Sequence, residues 1–337
     1  MAAVILRVEL RELPKIVSNE IMTTAKAIIC DWFMFMLSIP RTEPMTNTQK
    51  FTQWSSLLAY CVGGVSLLVC PQLWRIILQL DFLGRTEGYL RLIGLGVLVI
   101  GFVLIISARS NQQVPTHGAI FGSILSRVIY VNGILLMLVL RGMIPLSFAL
   151  VFMVLDTLLP VITLVIWYRE TEGASVSLFF REIFTLLFKF SCVTSGGSIA
   201  AIFFVGLFQM FICLVFVIRP GIAQNILQLD DFQGHSNGFL ACVFFTLSIH
   251  GWYHVTNASA VNHPFVPAAL CYRLLLNVPV LLILVLVDQI ERNLCLTLLS
   301  FDLCSSIIIL LFVTFSKKNV STTEKDEQTL LTPDDKN

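Results

Sequence analysis

Charge is scarce in this chain. Lys, Arg, Asp and Glu make up 13% of 337 residues, and 22 basic side chains nearly cancel 21 acidic ones, for a net charge of +1. A soluble globular domain carries about 25% charged residues. No basic excess is available to neutralise phosphates, which excludes a nucleic-acid binder. An apolar fraction of 56% excludes a disordered chain. The sequence has no Walker loop and no soluble domain to hold nucleotide, which argues against an ATP-driven pump. No cofactor motif occurs either. The nine cysteines (Cys30, Cys61, Cys70, Cys192, Cys213, Cys242, Cys271, Cys295 and Cys304) form no C-x-x-C pair. Their odd number argues against a disulfide framework, and their place in apolar runs predicts small buried hydrophobes.

What the chain has instead is long apolar runs. Eight are present, with cores near 54–74, 89–107, 119–140, 144–167, 195–218, 239–255, 265–287 and 294–315. A helix needs about 20 residues to cross the hydrocarbon of a bilayer. Backbone groups in lipid must bond within their own segment, so these runs are expected to be helices despite their Val, Ile and Phe. The sequence therefore predicts an all-α, polytopic membrane protein of about eight spans, with the lipid bilayer as its surroundings. The sixth run is the weakest, because His250 and His254 lie near its end.

Residues 1–26 place Leu6, Leu10, Leu13 and Val17 at helical spacing among charged side chains, an amphipathic pattern. Residues 27–39 are apolar but short and contain Asp31. They read as an interfacial or re-entrant helix, with a ninth span as the alternative. Ser38-Ile39-Pro40 is a poor signal-peptide cleavage site.

Eight spans put both termini on one side. That side collects fourteen Lys and Arg, in the N-terminal segment, at Arg109, in the central linker and in the tail. The other holds six: Arg75, Arg85, Arg91, Arg141, Arg219 and Arg292. The positive-inside rule then puts both termini in the cytosol. Two glycosylation acceptors, Asn257-Ala-Ser259 and Asn319-Val-Ser321, would face the cytosol and stay unmodified.

The chain also reads as one four-helix unit written twice. Ile77-Leu78-Gln79-Leu80-Asp81 recurs as Ile226-Leu227-Gln228-Leu229-Asp230, and Gly88 and Gly101 correspond to Gly238 and Gly251. After a shorter loop in the second copy, His117, Arg127 and Asp156 match His263, Arg273 and Asp302. An even number of spans per unit makes these parallel tandem repeats. Residues 1–52 form the N-terminal segment, 53–168 the first repeat and 195–316 the second. The linker 169–194 carries Arg181, Thr185 and Lys189 on one face and Phe179, Phe180, Ile183, Phe184 and Leu187 on the other. It reads as an amphipathic cytosolic helix.

Arg127 and Asp156 fall at nearly equal depth on adjacent antiparallel spans, and Arg273 and Asp302 repeat the arrangement. A lone Arg or Asp at mid-bilayer costs about 2.5–3.5 kcal/mol on insertion scales, so pairing is expected. The pairs are either polar centres of a transport path or clamps between neighbouring helices. His117 and His263 are expected at the cytosolic mouths of their helices, where a proton-relay role is conceivable. His250 and His254, one helical turn apart with Asp302 or Asp288 as a carboxylate, resemble the H-x-x-x-H pattern of intramembrane metal hydrolases. The first repeat has Ile100, Gly101 and Leu104 in that region, so no second copy supports a metal.

Residues 317–337 are polar and read as a disordered cytosolic tail. Within them Asp326, Leu330 and Leu331 fit an acidic dileucine signal, which a sorting adaptor would bind on an endosomal or lysosomal route; the plasma membrane is the alternative location.

Three short motifs in the first repeat stand apart: Pro71-Gln72-Leu73-Trp74, Arg91-Leu92-x-Gly94 and Gly142-Met143-x-x-Leu146. Through them about 100 residues resemble the tumour protein p53-inducible protein eleven family of four-helix membrane proteins. The resemblance implies a four-helix membrane unit. Arg127 and Asp156 do not belong to its pattern. Three functions remain in view: a secondary transporter or channel-like protein, a non-catalytic scaffold or trafficking regulator, and a metal hydrolase. An enzyme is the least expected of these.

Overall fold

The computed structural model describes residues 44–110, 118–188 and 196–330, with backbone alone at 118–119 and 315–330. The N-terminal segment with Asp31, His117 and Leu331 lie outside the described residues. Within them the chain is helical, without strands. The elements are α1 (Asn47–Val69), α2 (Pro71–Leu78), α3 (Thr86–Arg109), α4 (Ile120–Leu140), α5 (Leu146–Glu170), α6 (Val176–Phe188), α7 (Gly197–Ile218), α8 (Pro220–Leu227), α9 (Ser236–Ser259), α10 (Phe265–Leu286) and α11 (Arg292–Leu330). Eight of them (α1, α3, α4, α5, α7, α9, α10 and α11) are long and apolar enough to cross a membrane, which fits a multi-pass membrane protein.

Helix α1 starts and stops earlier than its apolar run. Thr46 and Gln49 form a reciprocal capping box. The Glu170 carboxylate at the end of α5 accepts from the Asn47 and Thr48 amides at 2.8 and 3.0 Å. Cys70 leaves helical geometry, and Pro71 then opens α2. Proline disfavours the α conformation in the residue before it and is well suited to a first helical turn. Trp74, read as the end of the first span, therefore lies on α2 and donates to the Ser66 hydroxyl at 3.0 Å. At the other end of the chain, α11 continues past 316 to Leu330, where a disordered tail was expected. No Gly or Pro occurs between Arg292 and Thr332 to stop it.

Helices α3 and α9 form the middle of the molecule and are its most enclosed spans, with 94% and 89% of their apolar windows buried. They run parallel and in register. Gly96 packs on Thr246, and the Ser107 hydroxyl donates to Asn257 Oδ1 at 2.9 Å. In each pair the second residue lies 150 positions after the first. Near the helix starts the contacts are reciprocal, with Gly84 against Gln233 and Gly234 against Leu83. Farther along, the two halves grip each other. A Cβ at Gly88 would lie 1.7 Å from the Gln289 carbonyl oxygen, and one at Gly238 would lie 1.9 Å from that of Met143. Only glycine lets the α10–α11 turn sit on α3 and the α4–α5 turn sit on α9.

Other matching positions share backbone geometry. Gln79 and Gln228 end α2 and α8 in the left-handed region, at φ 53° and 51°. Gly142 and Asp288 occupy the equivalent turns at φ 66° and 54°. Each half also widens one of its helices: Ser126–Val131 in α4 and Tyr272–Asn277 in α10 are π-helical. Ser56–Val62 in α1 is π-helical as well.

The linker helix α6 turns Phe179, Ile183 and Leu186 inward, and Phe179 meets Phe121 and Trp167. Phe180, Phe184 and Phe188 form an exposed stripe. Among the cysteines, Cys61, Cys213, Cys242 and Cys295 are buried, whereas Cys70 and Cys304 are exposed.

Candidate functional site: two buried arginine–aspartate centres

The four charges expected deep in the spans meet in two pairs. Arg127 Nε donates to Asp156 Oδ1 at 2.9 Å, and Arg273 Nη1 donates to Asp302 Oδ1 at 2.5 Å. All four side chains are at most 9% exposed. Both arginines project from π-helical turns, whose wider spacing breaks the regular ladder and re-aims a side chain. Each aspartate comes from the last span of the same half.

The surroundings then diverge. In the first half Tyr60, from the π-helical turn of α1, donates its hydroxyl to Asp156 Oδ1. Its ring lies under the Arg127 guanidinium, 4.8 Å from centroid to carbon. This centre is compact: Tyr60 gives it a hydroxyl and an aromatic wall, and the buried Tyr253 of α9 lies close enough to act electrostatically on Arg127 and Asp156. Asn132, one turn away, donates to Thr157 at 3.0 Å and ties α4 to α5.

In the second half Gln209 stands where Tyr60 stands in the first, 149 positions later, the offset of the repeated ILQLD string. Its Oε1 accepts from Arg273 Nη2 at 3.0 Å, and its Nε2 donates to the Leu247 carbonyl at 3.0 Å. Asn277 Nδ2 donates to Asp302 Oδ2 at 2.9 Å. Tyr272 bonds through its hydroxyl to His254 Nε2 at 2.6 Å, and Arg273 Nη2 lies 3.5 Å from the same nitrogen. Guanidinium offers only donors, so His254 Nε2 is the acceptor there. Phe301 and Tyr272 cover the guanidinium at 5.4 and 5.6 Å. The rest of this centre thus comes from α7, α9 and α10. Sequence reading missed Tyr60, Gln209, Tyr272 and Asn277. The repeat offset was the one signal that joins Tyr60 to Gln209.

His250 and His254 face different partners. His250 Nε2 contacts the Gly96 carbonyl at 2.9 Å, while His254 Nε2 is taken by Tyr272 and Arg273. A guanidinium thus occupies the side of His254 that a metal cation would need. Asp288 lies in the α10–α11 turn, exposed, bonded to Arg85 at 3.2 Å. Among the described residues no three His, Cys, Asp or Glu side chains gather as a metal site requires. His263 is exposed in the α9–α10 turn. Asn257, the first glycosylation acceptor, is fully buried and accepts from Ser107 and Asn262, so burial alone keeps it from modification.

A small cavity adjoins each aspartate, enclosed by α3, α9 and the last two spans of that half. The first has a volume of about 40 Å³ and is lined by Ile100, Val131 and Asp156, with Tyr60, Thr246 and apolar residues around them. The second, about 30 Å³, has His250, Asn277 and Asp302 in the matching places. Pockets for drug-sized ligands span about 300–1,000 Å³. Both cavities are therefore of water or single-ion size.

Outside the spans, Arg85 bridges the halves through Asp230 at 2.9 Å and Asp288 at 3.2 Å. Its hydrogen bond to Asp230 leads in holding its pKa above the ordinary arginine value.

Compared with known proteins, the chain matches no family model, no curated protein and no solved structure, so the likeness of its first half to the p53-inducible protein eleven family rests on its short motifs alone.

Proposed function

We propose that the chain is a membrane transporter or channel-like protein for a small solute or ion, made of two tandem parallel repeats, with its working centre in the second. One observation carries this reading. The two halves hold their ion pairs in the same frame, yet the second surrounds its pair with Gln209, His250, His254, Tyr272 and Asn277. The first manages with Tyr60 and the nearby Tyr253. The first half thus serves as an internal control for what a clamp requires. Polar side chains in a membrane interior are expensive and mark solute or proton pathways. The in-register contact of α3 with α9 and the reciprocal glycine contacts support the repeat. The excess of Lys and Arg supports cytosolic termini, and the Asp326, Leu330, Leu331 pattern supports endosomal or lysosomal sorting.

A scaffold is the second reading, favoured by the closed ion pairs and the small cavities. The experiment is current measurement on proteoliposomes challenged in turn with protons, sodium and charged metabolites. Transport predicts that Arg273→Gln or Asp302→Asn abolishes the current while protein level in the membrane holds. A scaffold predicts no current in the unaltered protein and effects of these changes on level alone.

A further inference from the structure

The cavity beside Asp302 holds more hydrogen-bonding capacity than its protein partners use. Asn277 Nδ2 donates to the Asp302 carboxylate, and this fixes the amide's orientation, because a carboxylate accepts only from a donor. Asn277 Oδ1 is then an acceptor; the residue is 5% exposed, and that oxygen has no partner among the described residues. His250 contacts the Gly96 carbonyl through Nε2, so Nε2 carries the proton and Nδ1 is a bare acceptor. The Thr246 hydroxyl donates to the Val243 carbonyl at 2.8 Å and keeps lone pairs. These three side chains and Asp302 line one cavity of about 30 Å³. A buried water needs roughly 10–15 Å³ of such space and two to four polar partners. The first half's cavity offers similar room, but with Val131 for Asn277 and Ile100 for His250.

We propose that water held in the second cavity joins the Asp302 carboxyl to the His250 imidazole and makes this half of the protein a proton relay. This rests on the transport reading and names the proton as the ion that moves. The step is a double transfer. The proton on Asp302 passes to the water oxygen as a proton of that water passes to His250 Nδ1. The water is restored, Asp302 becomes the carboxylate paired with Arg273, and His250 becomes imidazolium with Nε2 still on Gly96. Net conduction follows when Asp302 takes its next proton from water on one side of the membrane and His250 Nδ1 gives its proton to water on the other. The titratable, charged and polar groups facing this centre are Arg273, Tyr272 and Asn277 from α10, His250, His254 and Thr246 from α9, and Gln209 from α7. Helix α3 contributes Leu92, Leu95 and Gly96, and α11 contributes Leu298 and Phe301 beside Asp302 itself.

The first half supplies the test variants. His250→Ile and Asn277→Val place in the second cavity the residues found at the same positions of the first, in a cavity of similar size. Purified full-length protein goes into phosphatidylcholine liposomes with a pH-sensitive dye inside, potassium and valinomycin on both sides, and a pH step outside. The unaltered protein is expected to conduct protons, and the double variant to lose about a hundredfold, the low end of what a positioned proton carrier contributes. Infrared difference spectra between acid and alkaline pH give a second readout. A carboxylic-acid band that vanishes in Asp302→Asn should shift in His250→Ile and in Asn277→Val. The relay is overturned by proton flux that persists in the folded double variant. It is equally overturned by an Asp302 band indifferent to both changes, or by the absence of both flux and band in the unaltered protein. The transport reading falls on a different result, no current for any ion or solute in the unaltered protein; a solute current that survives His250→Ile with Asn277→Val leaves that reading standing while the relay falls.

Discussion

The two arginine–aspartate centres share a frame, an arginine on a π-helical turn paired with an aspartate of the next span, yet their surroundings differ. Tyr60 completes the first by donating to Asp156 and lying against Arg127. The second draws Gln209, His254, Tyr272 and Asn277 around Arg273 and Asp302, and His250 lines its adjoining cavity. The comparison separates two roles that a buried ion pair combines. Joining adjacent spans takes two charges and tyrosine beside them. His250, His254 and Asn277 stand where the first half has Ile100, Leu104 and Val131, so these three need another reason.

The largest effect should be the same in both halves. Gly88→Leu and Gly238→Leu each push a side chain into a backbone carbonyl, and neither the α10–α11 nor the α4–α5 turn can yield without parting the halves. Each is expected to cost more than about 4 kcal/mol, the range of severe core damage. Fluorescence-detected size-exclusion chromatography should show loss of the monodisperse peak. A normal peak from either variant would break the reciprocal packing described above.

Next comes a pair of cycles that should diverge. Arg127→Leu leaves Asp156 buried without its main partner, at about 3–5 kcal/mol. Adding Asp156→Leu should recover part of that, because replacing a whole buried pair by apolar side chains is often neutral, while the Tyr60 hydroxyl alone loses its acceptor at about 1–3 kcal/mol. Arg273→Leu with Asp302→Leu should not recover, since Gln209 and Asn277 then lose their partners at about 1–3 kcal/mol each. Thermal melts in detergent measure both. Equal recovery in the two halves would erase the proposed difference between them.

Smaller effects test the seam. Ser107→Ala removes a hydrogen bond between α3 and α9, while Asn257 keeps its bond from Asn262. A loss of about 0.5–1.5 kcal/mol is expected. Arg85→Ala should cost least, about 0.2–1 kcal/mol, and less still in high salt. Its partners Asp230 and Asp288 are 62% and 86% exposed, so solvent screens the pair.

Parts of this were legible in the sequence. Each of the eight apolar runs corresponds to a helix of spanning length, though α1 is shifted toward its capping box and away from Pro71. The Arg–Asp partners follow from equal depth on adjacent spans joined by a short turn. The sixth span looked weak because of its histidines, and the fold explains them. Helix α9 is enclosed by protein, so His250 and His254 face neighbouring helices. Spacing alone put those two histidines together for a metal. Their partners, Gly96 and Tyr272, lie on α3 and α10, and no local pattern announces contacts at such separation.

The sequence by itself determined how many helices can span a membrane and which charges fall in the middle of those helices. Both are local matters, set by run length against the thickness of hydrocarbon. Only the tertiary structure decided that α3 and α9 form the central pair, and that glycines let each half seat on the other. It also decided that the cavity beside Asp302 is lined by His250 and Asn277 where the one beside Asp156 has Ile100 and Val131. Those outcomes depend on how helices cross. A π-helical turn or a missing Cβ moves the crossing by ångströms, and at that scale a valine in place of an asparagine separates a clamp from a candidate relay.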